Sequence, residues 1–272
     1  MSLSARRLQH VRQMSTILLG LTMPFAGTAL GAAAVFLLRH EMAPRLQKAM
    51  TGFAAGVMTA ATVWSLLLPA IEMSRRMPLP DWIPAAAGFA AGVAFLLLLD
   101  SLVPHLHLHA ERAEGLSVRL TRRAKLALAV TLHNIPEGMA VGVVLAGATN
   151  GDSGITAAAA LALSFGIAVQ NIPEGAIISV PMQGGGLGKL RSFGLGAASG
   201  AVEPAAGAVT LLLADALTPW MPWMLAFAAG AMMYVVVEEL VPEAQRGPHS
   251  DIGTVGFTAG FLTMMVLDVA LG

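Results

Sequence analysis

The chain has 272 residues, of which 56% are hydrophobic and only 12% charged, and its mean hydropathy is +0.72. A soluble domain of this length would need more polar surface, because soluble proteins are about 25% charged. The sixteen basic and sixteen acidic residues balance, so nothing points to nucleic acid as a partner, and the absence of cysteine excludes disulfides and thiolate metal sites. We therefore expect a single membrane domain over residues 1–272, surrounded by the lipid bilayer.

Apolar segments follow one another along the chain, each close to the twenty or so residues that cross a bilayer. The connections between them are short, apart from the segment 105–125. We predict an all-α integral membrane protein, a bundle of eight transmembrane helices over residues 14–38, 49–71, 82–103, 126–149, 155–181, 192–214, 220–237 and 252–271.

Lys and Arg are unequally divided between the two sets of loops. One set holds eleven of them and the other holds five. Because loops rich in Lys and Arg stay in the cytoplasm, we assign the eleven to the inside, which leaves both termini outside. The loop 105–125 is then cytoplasmic, and it contains three alternating histidines that could either capture metal or simply be solvated: His105, His107 and His109.

A six-residue motif occurs twice in the middle of the chain. HNIPEG lies at residues 133–138 in predicted span four, and QNIPEG lies at residues 170–175 in span five. The first and fifth residues of each motif share one helix face. The proline lacks an N–H and clashes with the carbonyl four residues back, so we expect both helices to be kinked. Since the two spans are antiparallel neighbours, the motifs should meet near the bilayer midplane, where broken helices commonly build binding sites.

Three carboxylates lie in spans four to six, namely Glu137, Glu174 and Glu203, and these spans contain no Lys or Arg. Each would cost roughly 2.5–3.5 kcal/mol at a helix centre if unmatched. A divalent cation is the obvious counter-charge, and protons are the alternative when metal is absent. With His133 beside them, the ligand types suit zinc and its first-row neighbours. Either Asn134 or Asn171 alone could instead simply hydrogen-bond a neighbouring helix.

The two motifs, with Glu203 in GAVEP at residues 200–204, resemble the ZIP (Zrt-/Irt-like protein) family of divalent metal transporters, bacterial type. The resemblance covers nearly the whole chain. It implies a transporter rather than an enzyme, without a catalytic cofactor, that carries zinc, or else iron, manganese or cadmium, into the cytoplasm. We also expect the bacterial inner membrane as its location and a homodimer as its assembly.

The resemblance further implies a binuclear site bridged by Glu137 and Glu174, with Met58 in GVMTA as an added soft ligand. Many family members have His at the position of Gln170 and some have Asp at that of Asn171, so we expect a weaker zinc preference and a weaker second site. The first metal would use His133, Glu137, Gln170 and Glu174, and the second would use Asn134, Glu137, Asn171, Glu174 and Glu203.

Other acidic residues lie near the predicted ends of spans. Asp100, Glu238 and Glu239 fall at inner ends and could form an exit station, whereas Asp268 falls near the outer face and could attract cations to the entrance. The alternative is that these acidic residues are simply solvated.

Two other functions compete with metal transport. An intramembrane metalloprotease needs HExxH, with the Glu as a base. This chain has HNIPE and no second His four residues after His133. A transporter of another solute, such as an organic cation or protons, would be compatible with the glutamates but would leave the repeated motif and its histidine unexplained.

Overall fold

The computed structural model of the chain describes residues 3–37, 42–102, 122–150, 154–213, 216 and 218–271. Apart from turns and short connections these residues are helical, and the described part of the chain contains no strand. The α-helices are α1 (Leu3–Ala32), α2 (Ala34–Leu37), α3 (Pro44–Ala61), α4 (Leu68–Ser74), α5 (Trp82–Leu102), α6 (Arg122–Asn150), α7 (Ala157–Gly184), α8 (Lys189–Gly200), α9 (Val202–Leu212), α10 (Met221–Val235), α11 (Val241–Gln245) and α12 (Ile252–Leu271).

Seven helical stretches in the described ranges are long and apolar enough to cross a bilayer, which makes the chain an all-helical, multi-pass membrane protein. Helix α6 is not one of the seven. It is 29 residues long, enough for a span, but it begins with basic residues and contains the polar HNIPEG motif. The count of eight spans therefore stays a prediction. The seven stretches are Val11–Leu37, Pro44–Ser74, Trp82–Ser101, Ala157–Gly184, Lys189–Leu212, Met221–Gln245 and Ile252–Leu271.

The helices form two groups, each built from closely packed pairs. In the first group, which we call the motif group, α1 packs on α7 and α6 packs on α9, with α2 and α8 alongside. In the second, which we call the flanking group, α3 packs on α12 and α5 packs on α10, with α4 and α11 continuing α3 and α10. The groups meet where α3 contacts α7 and where α10 contacts α6.

Glycines bring the paired helices into backbone contact. A Cβ atom at Gly27 of α1 would lie 2.0 Å from the Ala168 carbonyl oxygen of α7, and one at Gly56 of α3 would lie 2.0 Å from that of Phe257 in α12. Small residues allow this approach, and in a membrane the resulting van der Waals contact drives helix association. Within each group the helices are thus held at fixed separations, and side chains placed between them have little freedom to move.

Two π-helical segments interrupt helices of the flanking group. Thr62–Leu67 joins α3 to α4, and Val236–Leu240 joins α10 to α11. Each ends two residues before a proline, Pro69 or Pro242. Proline removes one N–H and clashes with the carbonyl four residues back, which favours a wider turn at this place.

The helix α10–π–α11 continues past residue 237, the predicted end of span seven, as far as Gln245. Glu238 and Glu239 therefore lie inside a helix, whereas the sequence predicted that they lie at the end of a span. Helices α6 and α7, by contrast, run without interruption through Pro136 and Pro173. The kinks expected at these two prolines stay a prediction.

Candidate metal centre

The two motifs occupy the middle of α6 and α7, and Glu203 lies in the first turn of α9. All the polar side chains predicted as ligands from these three helices are buried, the most accessible being only 8% exposed. Such burial of carboxylates requires specific partners or a bound ion. The buried residues are His133, Asn134, Glu137, Gln170, Asn171, Glu174 and Glu203.

The two motifs contact each other directly. The amide nitrogen of Gln170 donates a hydrogen bond of 2.7 Å to Oε1 of Glu137, and the same nitrogen lies 3.3 Å from Oδ1 of Asn171. Asn171, next to Gln170 in α7, is completely buried as well. Glu174 is close enough to Glu137 and to Glu203 to act electrostatically on both. The fold thus brings the two glutamates of the repeat near Glu203, which lies outside it.

Glycine at the last position of each motif sets the distance to the next helix. A Cβ atom at Gly138 would lie 2.3 Å from the carbonyl oxygen of Glu203, and one at Gly175 would lie 2.0 Å from that of Thr28. Both distances are far inside van der Waals contact, so only glycine permits these approaches. The motif therefore supplies ligand side chains and also admits the helices that carry Glu203 and Thr28.

Helices α1 and α8 complete the surroundings of the cluster. Thr28 of α1 donates a hydrogen bond of 3.1 Å to Oε1 of Glu203, and Asn134 donates one of 3.1 Å to the carbonyl oxygen of Ser199. The amide nitrogen of Asn171 lies 3.4 Å from the carbonyl oxygen of Pro24. Sequence reasoning missed these contacts, because α1 lacks acidic residues and a carbonyl group carries no sequence signal.

Four buried oxygens of the cluster have no hydrogen-bond partner among the described residues. Each belongs to a predicted ligand, and each is a group that a cation could bind. Buried polar atoms without partners are uncommon and costly, so their concentration here indicates a place for a positive ion. The four atoms are Asn134 Oδ1, Glu137 Oε2, Gln170 Oε1 and Glu203 Oε2.

Carboxylates and imidazoles alone do not complete a metal site in this arrangement. Within the described ranges, no group of three His, Asp or Glu side chains is close enough to hold a metal ion. An ion bound here would therefore also use the amide oxygens of Asn134, Asn171 or Gln170, or would draw the side chains closer together.

His133 connects the cluster to the flanking group. Its Nδ1 lies 3.2 Å from Oε2 of Glu239 in the second π-helical segment. Asp100, buried at the end of α5, also acts electrostatically on His133 and accepts a hydrogen bond of 2.5 Å from the Tyr234 hydroxyl. Glu239 is thus a direct partner of a predicted ligand, whereas Glu238 beside it is exposed.

The remaining predicted residues lie apart from these contacts. Asp268 is buried in α12 and accepts a hydrogen bond of 2.6 Å from Ser65 in the first π-helical segment. Simple solvation is therefore wrong for Asp268, as it is for Asp100. Met58 is fully buried in the apolar core of α3. The predicted loop histidines His105, His107 and His109 fall outside the described residues.

The chain is a multi-pass helical bundle with a buried polar cluster between its helices, an arrangement typical of membrane transporters for small ions. The sequence model of the ZIP Zinc transporter family matches residues 107–268. Zinc transporter ZIP11 of Xenopus tropicalis is 36% identical, over 94% of this chain and 97% of its own length. Zinc transporter ZIPB of Bordetella bronchiseptica is 39% identical, over 91% of this chain and 79% of its own length. Zinc transporter GufA of Myxococcus xanthus is 38% identical, over 91% of this chain and 96% of its own length.

The chain therefore belongs to the ZIP family, and it is a transporter and not an enzyme.

Proposed function

We propose that this protein carries zinc across the membrane into the cytoplasm through the cluster between α6, α7 and α9. The observation that carries the proposal is the group of four unpartnered buried oxygens on Asn134, Glu137, Gln170 and Glu203. The three relatives described above are each named a zinc transporter, which supports zinc as the ion. A neutral amide at Gln170 leaves His133 as the one imidazole in the two motifs, so iron, manganese and cadmium are competitors to be tested.

The cluster would hold up to two ions. His133, Glu137, Gln170 and Glu174 form the first proposed site, and the second uses Asn134, Asn171 and Glu203 with the same two glutamates. The hydrogen bond from Gln170 to Glu137 joins the two motifs at this place and supports a position shared by both sites. The second site lacks a charge at Asn171, so we expect it to bind the ion more weakly.

The ion path would run from one side of this cluster to the other. Asp268 with Ser65 is the proposed entrance, and Glu239 with Asp100 is the proposed exit, because both of the latter act on His133. Glu238, exposed beside Glu239, would lie along the exit, and Met58 would line the path. The cytoplasmic loop that contains His105, His107 and His109 would receive the ion.

Alternating access would come from a sliding movement of the motif group against the flanking group. Helices within each group are joined through glycine contacts between backbones, whereas the His133–Glu239 pair crosses between the groups. Breaking that pair is thus a necessary step of the movement. We further propose that α6 is the eighth span, that both termini face outside, and that the protein is a homodimer in the bacterial inner membrane.

Zinc uptake by purified protein in proteoliposomes tests the proposal. A zinc-sensitive dye is enclosed in the vesicles, zinc is added outside, and the initial rate is compared for the wild type, Glu137→Ala and Glu72→Ala. Glu72 is an exposed glutamate at the end of α4 and serves as the matched control. We expect uptake by the wild type and the control only.

Adding iron, manganese or cadmium in excess then measures selectivity, and protease accessibility of a terminal tag fixes the orientation of the inserted chains. Uptake by Glu137→Ala at the wild-type rate, with equal protein in the vesicles, would overturn the assignment of the site. Uptake of another divalent ion without any uptake of zinc would overturn the choice of ion.

A further inference from the structure

Helix α1 lines the polar cluster although its membrane portion carries no carboxylate and no imidazole side chain. Between Gln13 and Leu37 the chain has no charged residue and no histidine. Within this apolar stretch, Thr28 is completely buried, and its hydroxyl lies 3.1 Å from Oε1 of Glu203. The side chain therefore has a specific partner in the cluster, and the partner is a predicted ligand.

The Thr28 hydroxyl has one proton to donate and two candidate acceptors. The carbonyl oxygen of Pro24 lies 3.4 Å away, farther than the Glu203 carboxylate. The proton therefore goes to Glu203, while the Pro24 carbonyl remains available to the amide nitrogen of Asn171, also at 3.4 Å.

Packing fixes the position of this donor. A Cβ atom at Gly175 would lie 2.0 Å from the carbonyl oxygen of Thr28, and one at Gly200 would lie 2.6 Å from the Cβ of Thr28. Threonine is also branched at Cβ, which restricts its χ1 rotation. Since α7 and α8 both pack closely on Thr28, its backbone and Cβ are held beside Glu203.

The result is a carboxylate that is held by one oxygen and open at the other. Oε1 of Glu203 accepts the bond from Thr28, whereas Oε2 is buried and has no partner among the described residues. Gly138 brings the backbone of Glu203 against α6. With Oε1 bonded to Thr28, Oε2 is the carboxylate oxygen left to bind an ion.

We propose that Thr28 is a positioning residue that orients the Glu203 carboxylate toward the second metal ion, an inference that rests on the proposed function of the cluster. Thr28 itself does not bind the ion. Through Glu203, Thr28 raises the affinity of the second, weaker site for its ion.

The matched pair Thr28→Val and Thr28→Ser tests the role of the hydroxyl. Valine keeps the branched shape and removes the donor, whereas serine keeps the donor and removes a methyl group. Because a hydrogen bond to a charged group is lost, we expect Thr28→Val to weaken the Glu203-dependent binding of zinc by about tenfold to a hundredfold. Thr28→Ser should restore it, and Thr22→Val, an exposed threonine of the same helix, should bind zinc like the wild type.

Zinc binding to the purified full-length protein is measured by isothermal titration calorimetry for these variants and for Glu203→Gln and the double variant Thr28→Val/Glu203→Gln. If Thr28 acts through Glu203, then Thr28→Val has no further effect once Glu203 is replaced. Additive losses in the double variant, or equal losses in the valine and serine variants, would show a packing role and overturn the proposal. Unchanged zinc affinity in Thr28→Val would overturn it too.

Glu137→Ala in the same titrations separates this inference from the function on which it rests. If Glu137→Ala binds zinc as well as the wild type, then the cluster is not the metal site and the proposed function fails. If Glu137→Ala loses binding while Thr28→Val does not, only the role of Thr28 fails.

Discussion

The two copies of the motif are almost identical in sequence, yet the structure gives them different partners. In HNIPEG, the first residue, His133, reaches out of the motif group to Glu239 of the flanking group. In QNIPEG, the first residue, Gln170, reaches inward and donates to Glu137 of the other copy. One copy thus links the cluster to the opposite helix group, and the other closes the cluster on itself.

The repeat thus has a part that is the same in both copies and a first residue that differs between them. The shared Glu and Gly of each copy place a carboxylate in the cluster and admit a neighbouring helix, α9 in one case and α1 in the other. The residue at the first position determines whether the motif contacts the flanking group, as His133 does, or the other copy of the motif, as Gln170 does. The His133–Glu239 pair joins the two groups and would break if they slide, whereas the hydrogen bond from Gln170 to Glu137 lies within the motif group and would be kept.

The largest effect should come from the glutamates that the copies share. Glu137→Ala or Glu174→Ala should lower zinc uptake by a hundredfold or more, because loss of even an indirect partner of a metal commonly costs about 10–100-fold. Rates of zinc uptake in proteoliposomes, normalised to inserted protein, measure this. If only one of the two variants were inactive, the copies would not be equivalent at this position.

His133→Ala should be the next most severe, with uptake reduced by about 10–100-fold. The variant removes the imidazole of the proposed first site and also leaves Glu239 without this partner. Comparing it with Glu239→Gln separates the two contributions, since that change leaves the imidazole in place. Equal zinc affinity of the wild type and His133→Ala in titrations would mean that the histidine serves only to link the two helix groups.

Asn134→Ala and Glu203→Ala should reduce uptake less than His133→Ala, by about tenfold, because both touch only the weaker second site. Parallel uptake assays and zinc titrations of the three variants measure the order. An equal loss in all three would argue that both sites must be filled for transport.

The smallest change is expected for Gln170→His, which makes the two copies identical. Imidazole is a better zinc ligand than an amide, so the variant should bind zinc more tightly, by less than about tenfold or less than about 1.4 kcal/mol. Transport should become slower if release of the ion limits the rate. Calorimetric titration measures the affinity, and a value equal to that of the wild type would mean that Gln170 does not contact the metal.

The sequence alone was sufficient for the helical membrane class, for the ZIP resemblance and for the set of buried polar residues. Each rests on a local property: apolar segments of spanning length, a repeated motif, or acidic residues without basic neighbours. These properties do not depend on how the helices are arranged in space. Burial of the predicted ligands followed, because an uncompensated carboxylate in an apolar span needs partners that only the helix bundle provides.

Only the tertiary structure decided which residues face one another. Thr28 is an ordinary neutral residue in an apolar helix, and its contact with Glu203 depends on two glycines, Gly175 and Gly200, from other helices. Likewise, the sequence places Glu239 at the end of a span, whereas in the structure it lies in the second π-helical segment and contacts His133. Contacts of this kind depend on the separation and rotation of helices, which arise from packing between distant parts of the chain and leave no periodic signal in any one of them.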